Sequence, residues 1–171
     1  MKTRIMWPLL LFLVLTGFKL EAQDSIERDK VLKAVNEIRQ EGCNCGGEVM
    51  PPVGSVKWNS ILEKTALQHA RDMDMHNYFS HRSRVGLDVG QRLDAAGYKW
   101  HYAGENMAEG QKAFDEVLRD WLESPTHCKM LMNPRMEEMG LAKYGKYWVQ
   151  HFGTKMPPNT VRKKVHYREG E

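Results

Sequence analysis

Three short segments of this chain place reactive side chains among turn-forming residues. His81 lies in Phe79-Ser80-His81-Arg82, Glu105 in Gly104-Glu105-Asn106, and His127 in Ser124-Pro125-Thr126-His127-Cys128. Two imidazoles and a carboxylate support two kinds of chemistry. Neutral histidines with a carboxylate suit Zn2+ or another divalent cation, with coordination positions left for water or a ligand. The same groups can move protons, because histidine titrates near neutrality and a glutamate can orient it or share its proton. A third use is structural, in which the side chains brace loops through hydrogen bonds. No nucleophile is signalled: Ser80 and Ser124 adjoin these segments, but neither sits in a nucleophile-elbow motif.

Flanking elements must hold these groups, and hydrophobic spacing indicates which. Asp24-Ser25-Ile26-Glu27 has the pattern of a capping box, and Val31, Ala34, Val35 and Ile38 continue it as a helical stripe. Gly42, Gly46, Gly47, Pro51, Pro52 and Gly54 predict a loop over 42–54. A second capping box, Ser60-Ile61-Leu62-Glu63, opens a helix with Leu62, Ala66, His69, Ala70 and Met73 on one face. On that stripe His69 reads as a hydrogen-bonded core histidine, and His76 as a partner for the last carbonyls of the helix. Residues 77–85, which include His81, are polar and irregular.

Val89, Leu93 and Ala96 predict a short helix stopped at Gly97. Residues 98–108, which include Glu105, read as a strand region. Phe114, Val117, Leu118 and Trp121 form another helical face, ended at Ser124-Pro125 because a residue before proline avoids the helical region. Residues 139–143 and 147–152 read as strands joined by a Gly145-Lys146 turn. Helices first, mixed elements next and strands last indicate α+β layers, not a parallel βαβ sheet.

The N-terminus reads as an export signal. Lys2 and Arg4 precede an apolar run from Met6 to Phe18, which is of h-region length and short of the about 20 residues a membrane helix needs. Ala22 offers a small residue for cleavage, with an uncleaved anchor as the alternative. This divides the chain into a signal peptide at 1–22, a domain at 23–153 and a basic tail at 154–171 carrying Arg162, Lys163 and Lys164. The destination is secreted or periplasmic, with no stable membrane anchor after cleavage. Without Lys2, Arg4, Lys19 and Glu21, the remaining chain has 22 basic and 21 acidic residues, a balance that argues against a nucleic-acid or anionic-membrane partner. Its length suits one domain with a proper core. Trp58, Trp121 and Trp148 read as core, and Met130, Met132, Met136 and Met139 as gap fillers.

Cys43, Cys45 and Cys128 are, in an exported chain, one disulfide and one leftover thiol. The competing arrangement is a zinc cluster of the three cysteines with His127, for which Cys-x-Cys is a weak signal.

The ordered motifs resemble a known family. Val35-Asn36-x-x-Arg39 and Trp58-Asn59-x-x-Leu62 are followed by Ala66-x-x-His69-Ala70-x-Asp72-Met73 and Tyr78-Phe79-Ser80-His81. Ala96-Gly97-Tyr98, Ala103-Gly104-Glu105-Asn106-Met107-Ala108, Trp121-x-x-Ser124-Pro125-x-His127 and Met132-Asn133-Pro134 come next. Glu138-Met139-Gly140 and Tyr147-Trp148-Val149-Gln150-x-Phe152-Gly153 close the series. Over about residues 26–153 the chain resembles the CAP superfamily (cysteine-rich secretory proteins, antigen 5, pathogenesis-related proteins) in its bacterial secreted form.

The resemblance implies a three-layer α-β-α sandwich around a small antiparallel sheet, with a cleft lined by two histidines and two acidic residues. Matched by motif, these are His81, His127 and Glu105. The second acid follows the helix tryptophan by three residues in many members. Here that place is Ser124, and Glu123 stands one residue earlier, turned by about 100°, so Glu123 is a candidate only. The family's divalent-metal binding makes His81, His127 and Glu105 the metal candidates. The resemblance also implies a Cys45–Cys128 bridge, with Cys43 as the alternative partner of Cys128. The expected function is an extracellular binding or interaction module for a metal ion, a small ligand or an unidentified partner. The alternative is a hydrolase of peptide or cell-wall substrates in which His81, Glu105 and His127 activate water.

Overall fold

The computed structural model describes residues 27–158 and 160. The expected signal peptide, the Asp24 end of the first capping box and the Arg162-Lys163-Lys164 segment lie outside the described residues. The elements in chain order are α1 (Arg28–Glu41), β1 (Cys43–Cys45), β2 (Glu48–Met50), β3 (Lys57–Trp58), α2 (Ser60–His76), α3 (Val89–Ala95), β4 (Trp100–Glu109), α4 (Phe114–Glu123), α5 (Pro125–Leu131), β5 (Glu138–Tyr144) and β6 (Tyr147–Lys155).

The central sheet has the strand order β3-β5-β6-β4. β6 is antiparallel to both β4 and β5, while the two-residue β3 adds to the edge in parallel. Side chains alternate between the two faces of a strand, and both faces are covered. Met107, Ala142, Tyr147 and Val149 pack with Ala66, Ala70 and Met73 of α2. Met139, Leu141, Trp148 and Phe152 pack with Val31 and Val35 of α1, Val117, Leu118 and Trp121 of α4, and Leu131 of α5. The result is the expected α-β-α sandwich. Strands covered on both faces lose the polar alternation of a half-exposed sheet, and β6 is buried from Tyr147 through Thr154. Gly140 lets α2 approach β5: a Cβ there would lie 2.1 Å from the Glu63 nitrogen.

Arg39 fastens α1 to the segment after α5. Its side chain is wholly buried and donates to the carbonyls of Gly54 (2.8 Å), Leu131 (2.6 Å), Asn133 (3.1 Å) and Met136 (3.1 Å). Burial lowers its pKa to about 10. The charge is satisfied by carbonyl dipoles, which is how a lone buried guanidinium is tolerated.

Several local expectations are corrected. The segment expected as a loop over 42–54 contains the β1–β2 hairpin, with Cys43 opposite Met50 and Cys45 opposite Glu48. The N-cap of α2 is Asn59, not Ser60. The Asn59 side chain accepts from the backbone N–H groups of Ile61 and Leu62, while Glu63 serves Arg28 and the Trp58 indole instead. Pro125 ends α4 and also opens α5, where proline's missing N–H costs nothing at the first helical position. β6 runs to Lys155, past residue 153. The Leu62-Ala66-His69-Ala70-Met73 face is buried as expected. Gly145, with φ 55°, makes the β5–β6 turn.

Candidate functional site

Register in the central sheet sets the site. Glu105 on β4 stands directly opposite His151 on β6, on the face shared with Met107 and α2. The Glu105 side chain is fully buried, and both of its oxygens are engaged. Oε1 accepts from His81 Nδ1 at 2.7 Å. Oε2 accepts from Arg92 Nη2 at 2.5 Å and from His151 Nε2 at 2.8 Å. Burial opposes ionisation, but the His151 and His81 hydrogen bonds and the Arg92 charge outweigh it, holding the carboxyl well below the usual carboxylate range. Glu105 is a permanent anion at neutral pH.

The surrounding groups are held just as firmly. Arg92, on α3, also donates to the backbone carbonyls of His81 (2.7 Å) and Leu87 (2.8 Å), so one guanidinium positions Glu105 and the backbone of His81 together. His151 places Nδ1 3.1 Å from the Thr65 hydroxyl on α2. Its burial lowers its pKa despite the neighbouring carboxylate. His69 is a core histidine, as expected, and its Nε2 lies 2.9 Å from the Ser80 carbonyl, next to His81. Burial, followed by the Arg92 charge, lowers the His69 pKa to about 4. Tyr78 and the backbone N–H of Arg84 both donate to Asp72 and close the same loop. His81 is about one-third exposed.

His127 approaches from α5. Its Nδ1 lies 2.9 Å from the Ser124 hydroxyl, and its carbonyl accepts from Asn106 on β4 at 3.2 Å. Burial and the neighbouring His81 lower its pKa. The Nδ1–Glu105 bond puts a proton on Nδ1 of His81, so in the neutral ring the lone pair is on Nε2. Glu123 ends α4 at the surface and makes no side-chain hydrogen bond to Glu105 or His127.

Glu105 therefore joins His81 directly, His127 is tied to β4 through Asn106, and the cluster around Glu105 adds Arg92, His151 and Thr65. Sequence reasoning passed over these three. His151 occupied the undefined position of the Gln150-x-Phe152 motif, and only the β4–β6 register shows that it faces Glu105. Arg92 offered only its place one residue before Leu93 on the α3 stripe.

The bridge is Cys45–Cys128, with a Cα–Cα distance of 5.5 Å, and Cys43 is a free thiol. It ties β1 to α5 at the residue after His127.

Fold and site together define a CAP domain. The family model for the cysteine-rich secretory protein family matches residues 32–152, and the chain belongs to that family. Among curated relatives it is similar to the uncharacterized protein YkwD of Bacillus subtilis, 34% identical over 96 residues, which cover 55% of this chain and 37% of YkwD. Among solved structures it is similar to an extracellular protein containing an SCP domain from Bacillus anthracis, with a TM-score of 0.66 and 28% identity. That match covers 74% of this chain and 40% of the other. An outer surface protein of Borrelia burgdorferi shares the fold at a TM-score of 0.64 and 20% identity, over 75% of this chain and 92% of that one. The chain spans little more than a third of the length of YkwD. No helix among the described residues is long and apolar enough to cross a membrane.

Proposed function

We propose that the protein is an exported binding module whose recognition site is the His81–His127 pair, holding a divalent cation such as Zn2+ or a polar group of a small extracellular ligand. The observation that supports this most is the commitment of Glu105. A general base must exchange a proton near the working pH. A buried carboxylate held by Arg92, His151 and His81 stays ionised and donates its acceptor capacity to positioning. This weighs against the hydrolytic alternative, in which Glu105 would activate water.

The chemistry of the donors supports a divalent cation, because imidazole nitrogens are common ligands of such ions. Each imidazole has its Nδ1 beside an oxygen, Glu105 for His81 and Ser124 for His127. A carboxylate at the far nitrogen is the outer partner that orients a metal-binding histidine and raises its basicity. His81 and His127 would hold the ion, and Glu105 would act from behind His81. When bound, the cation would supply Lewis-acid polarisation of an oxygen on the ligand. Export is supported by the basic and apolar N-terminal run and by the extracellular description of the Bacillus anthracis protein.

Calorimetric titration with zinc tests the proposal. The protein should bind stoichiometrically. His81→Ala and His127→Ala should each lose that binding while keeping the far-UV spectrum of a folded α+β protein. Full zinc affinity retained in both variants would overturn the shared site.

A further inference from the structure

Cys43 stands beside the Cys45–Cys128 bridge, 3.7 Å from Cys45 Sγ and 3.5 Å from Cys128 Sγ. Strand geometry explains the cluster. Residues 43 and 45 are two apart on β1, so their side chains leave the strand on the same side, and α5 presents Cys128 to that side. The hairpin partner β2 fixes β1 in place, and the Asn44 side chain accepts from the Gly47 N–H at 2.6 Å across the turn. Cys45, Cys128 and Met132 are buried together, with Cys43 half-buried against them.

We infer that the three cysteines form a thiol–disulfide exchange site, in which Cys128 is bridged to either Cys45 or Cys43. The Cys43 thiolate attacks Cys128 Sγ, the Cys43–Cys128 bond forms and the Cys45–Cys128 bond breaks. Cys45 leaves as a thiolate and takes up the proton that Cys43 gave up. One disulfide and one thiol exist before and after, so no external oxidant or reductant enters. Cys43 is nearly equidistant from the two bridged sulfurs, and hence beside the bond. In-line attack therefore begins with rotation of a cysteine side chain. Attack on Cys45 instead would give a bridge within β1. Strand neighbours two apart lie roughly 6.6 Å from each other, at the far end of the span a disulfide accepts. Exchange through Cys128 keeps β1 tied to α5 in both states and moves the β1 end of the tie by two residues, while the α5 end stays at the residue after His127. Burial raises the Cys43 thiol pKa, so exchange quickens as the solution becomes more alkaline.

The test uses the full chain, purified without reductant. Cys45→Ser is blocked with N-ethylmaleimide and mapped by peptide mass spectrometry under non-reducing conditions. The expected product is a Cys43–Cys128 bridge with no maleimide-reactive thiol. Maleimide on both Cys43 and Cys128 in the folded variant would overturn the inference. Should Cys45→Ser fail to fold, the unsubstituted protein decides: it is incubated over a series of pH values, quenched with acid, labelled and sequenced by tandem mass spectrometry. Exchange predicts label divided between Cys43 and Cys45, with the Cys45 share set faster at higher pH. Label confined to Cys43 at every pH would contradict it.

Discussion

Replacing Glu105 by glutamine would leave the Arg92 guanidinium almost wholly buried without its counter-charge and deprive His81 and His151 of an anionic acceptor. Removing one partner of a buried ion pair costs about 3–5 kcal/mol, and urea unfolding of Glu105→Gln should show a loss of that order. A loss within experimental error would mean that Arg92 and Glu105 are not paired in solution. Acid should act on the same groups. His69, His127 and His151 all have folded pKa values below their ordinary one, reaching about 4 for His69. Below about pH 6.5 the unfolded chain binds protons that the folded chain refuses, so stability falls as pH drops. The depressed Glu105 carboxyl adds a loss of the same sign once pH falls through the ordinary carboxylate range. Stability from denaturant titrations should decline between about pH 6.5 and pH 4, by about 1.4 kcal/mol per pH unit for each fully depressed histidine. A flat profile over that window would contradict neutral burial of these rings.

At the scale of elements, the Cys45–Cys128 bridge closes a long loop between β1 and α5, and a bridge of that kind contributes about 2–4 kcal/mol. Reductant should lower the melting temperature of the protein, and Cys128→Ser should melt lower and lose the response to reductant. A reductant effect that persists in Cys128→Ser would place the sensitivity elsewhere. Elements were legible in the sequence where a period or a turn residue forced one outcome. The α2 face from Leu62 to Met73, the stop of α3 at Gly97 and the β5–β6 turn at Gly145 are of this kind. Pro125 was ambiguous, because the residue that forbids helix behind it also favours the first position of a helix ahead of it. α5 was therefore missed. The β1–β2 hairpin was hidden because its strands have three residues each among glycines that signal a loop.

At the scale of the whole molecule, Arg39 joins the front of the chain to the end of α5 and the segment after it through the carbonyls of Leu131, Asn133 and Met136, and donates to the Gly54 carbonyl as well. Arg39→Met keeps much of the side-chain volume but leaves those carbonyls without donors. Each unsatisfied buried group costs about 1–3 kcal/mol, so the variant should lose more than about 3 kcal/mol by urea unfolding. A variant as stable as the parent would show that these carbonyls find other partners. The layered fold was readable from ordered motifs, and so were His81 and Glu105, which the structure brings into contact. The Arg92–Glu105–His151 core of the site was not, because it depends on the β4–β6 register and on how α3 docks, and neither leaves a local pattern. In that core Glu105 accepts from His81 Nδ1, the contact on which the proposed orienting role rests. The most direct test is a long-range proton–nitrogen NMR spectrum of the histidine rings, recorded without and with zinc. The account predicts a proton on Nδ1 of His81 in both states, with Nε2 of His81 and His127 shifting when zinc is added. Unchanged Nε2 signals, or a His81 ring protonated on Nε2 alone, would contradict it.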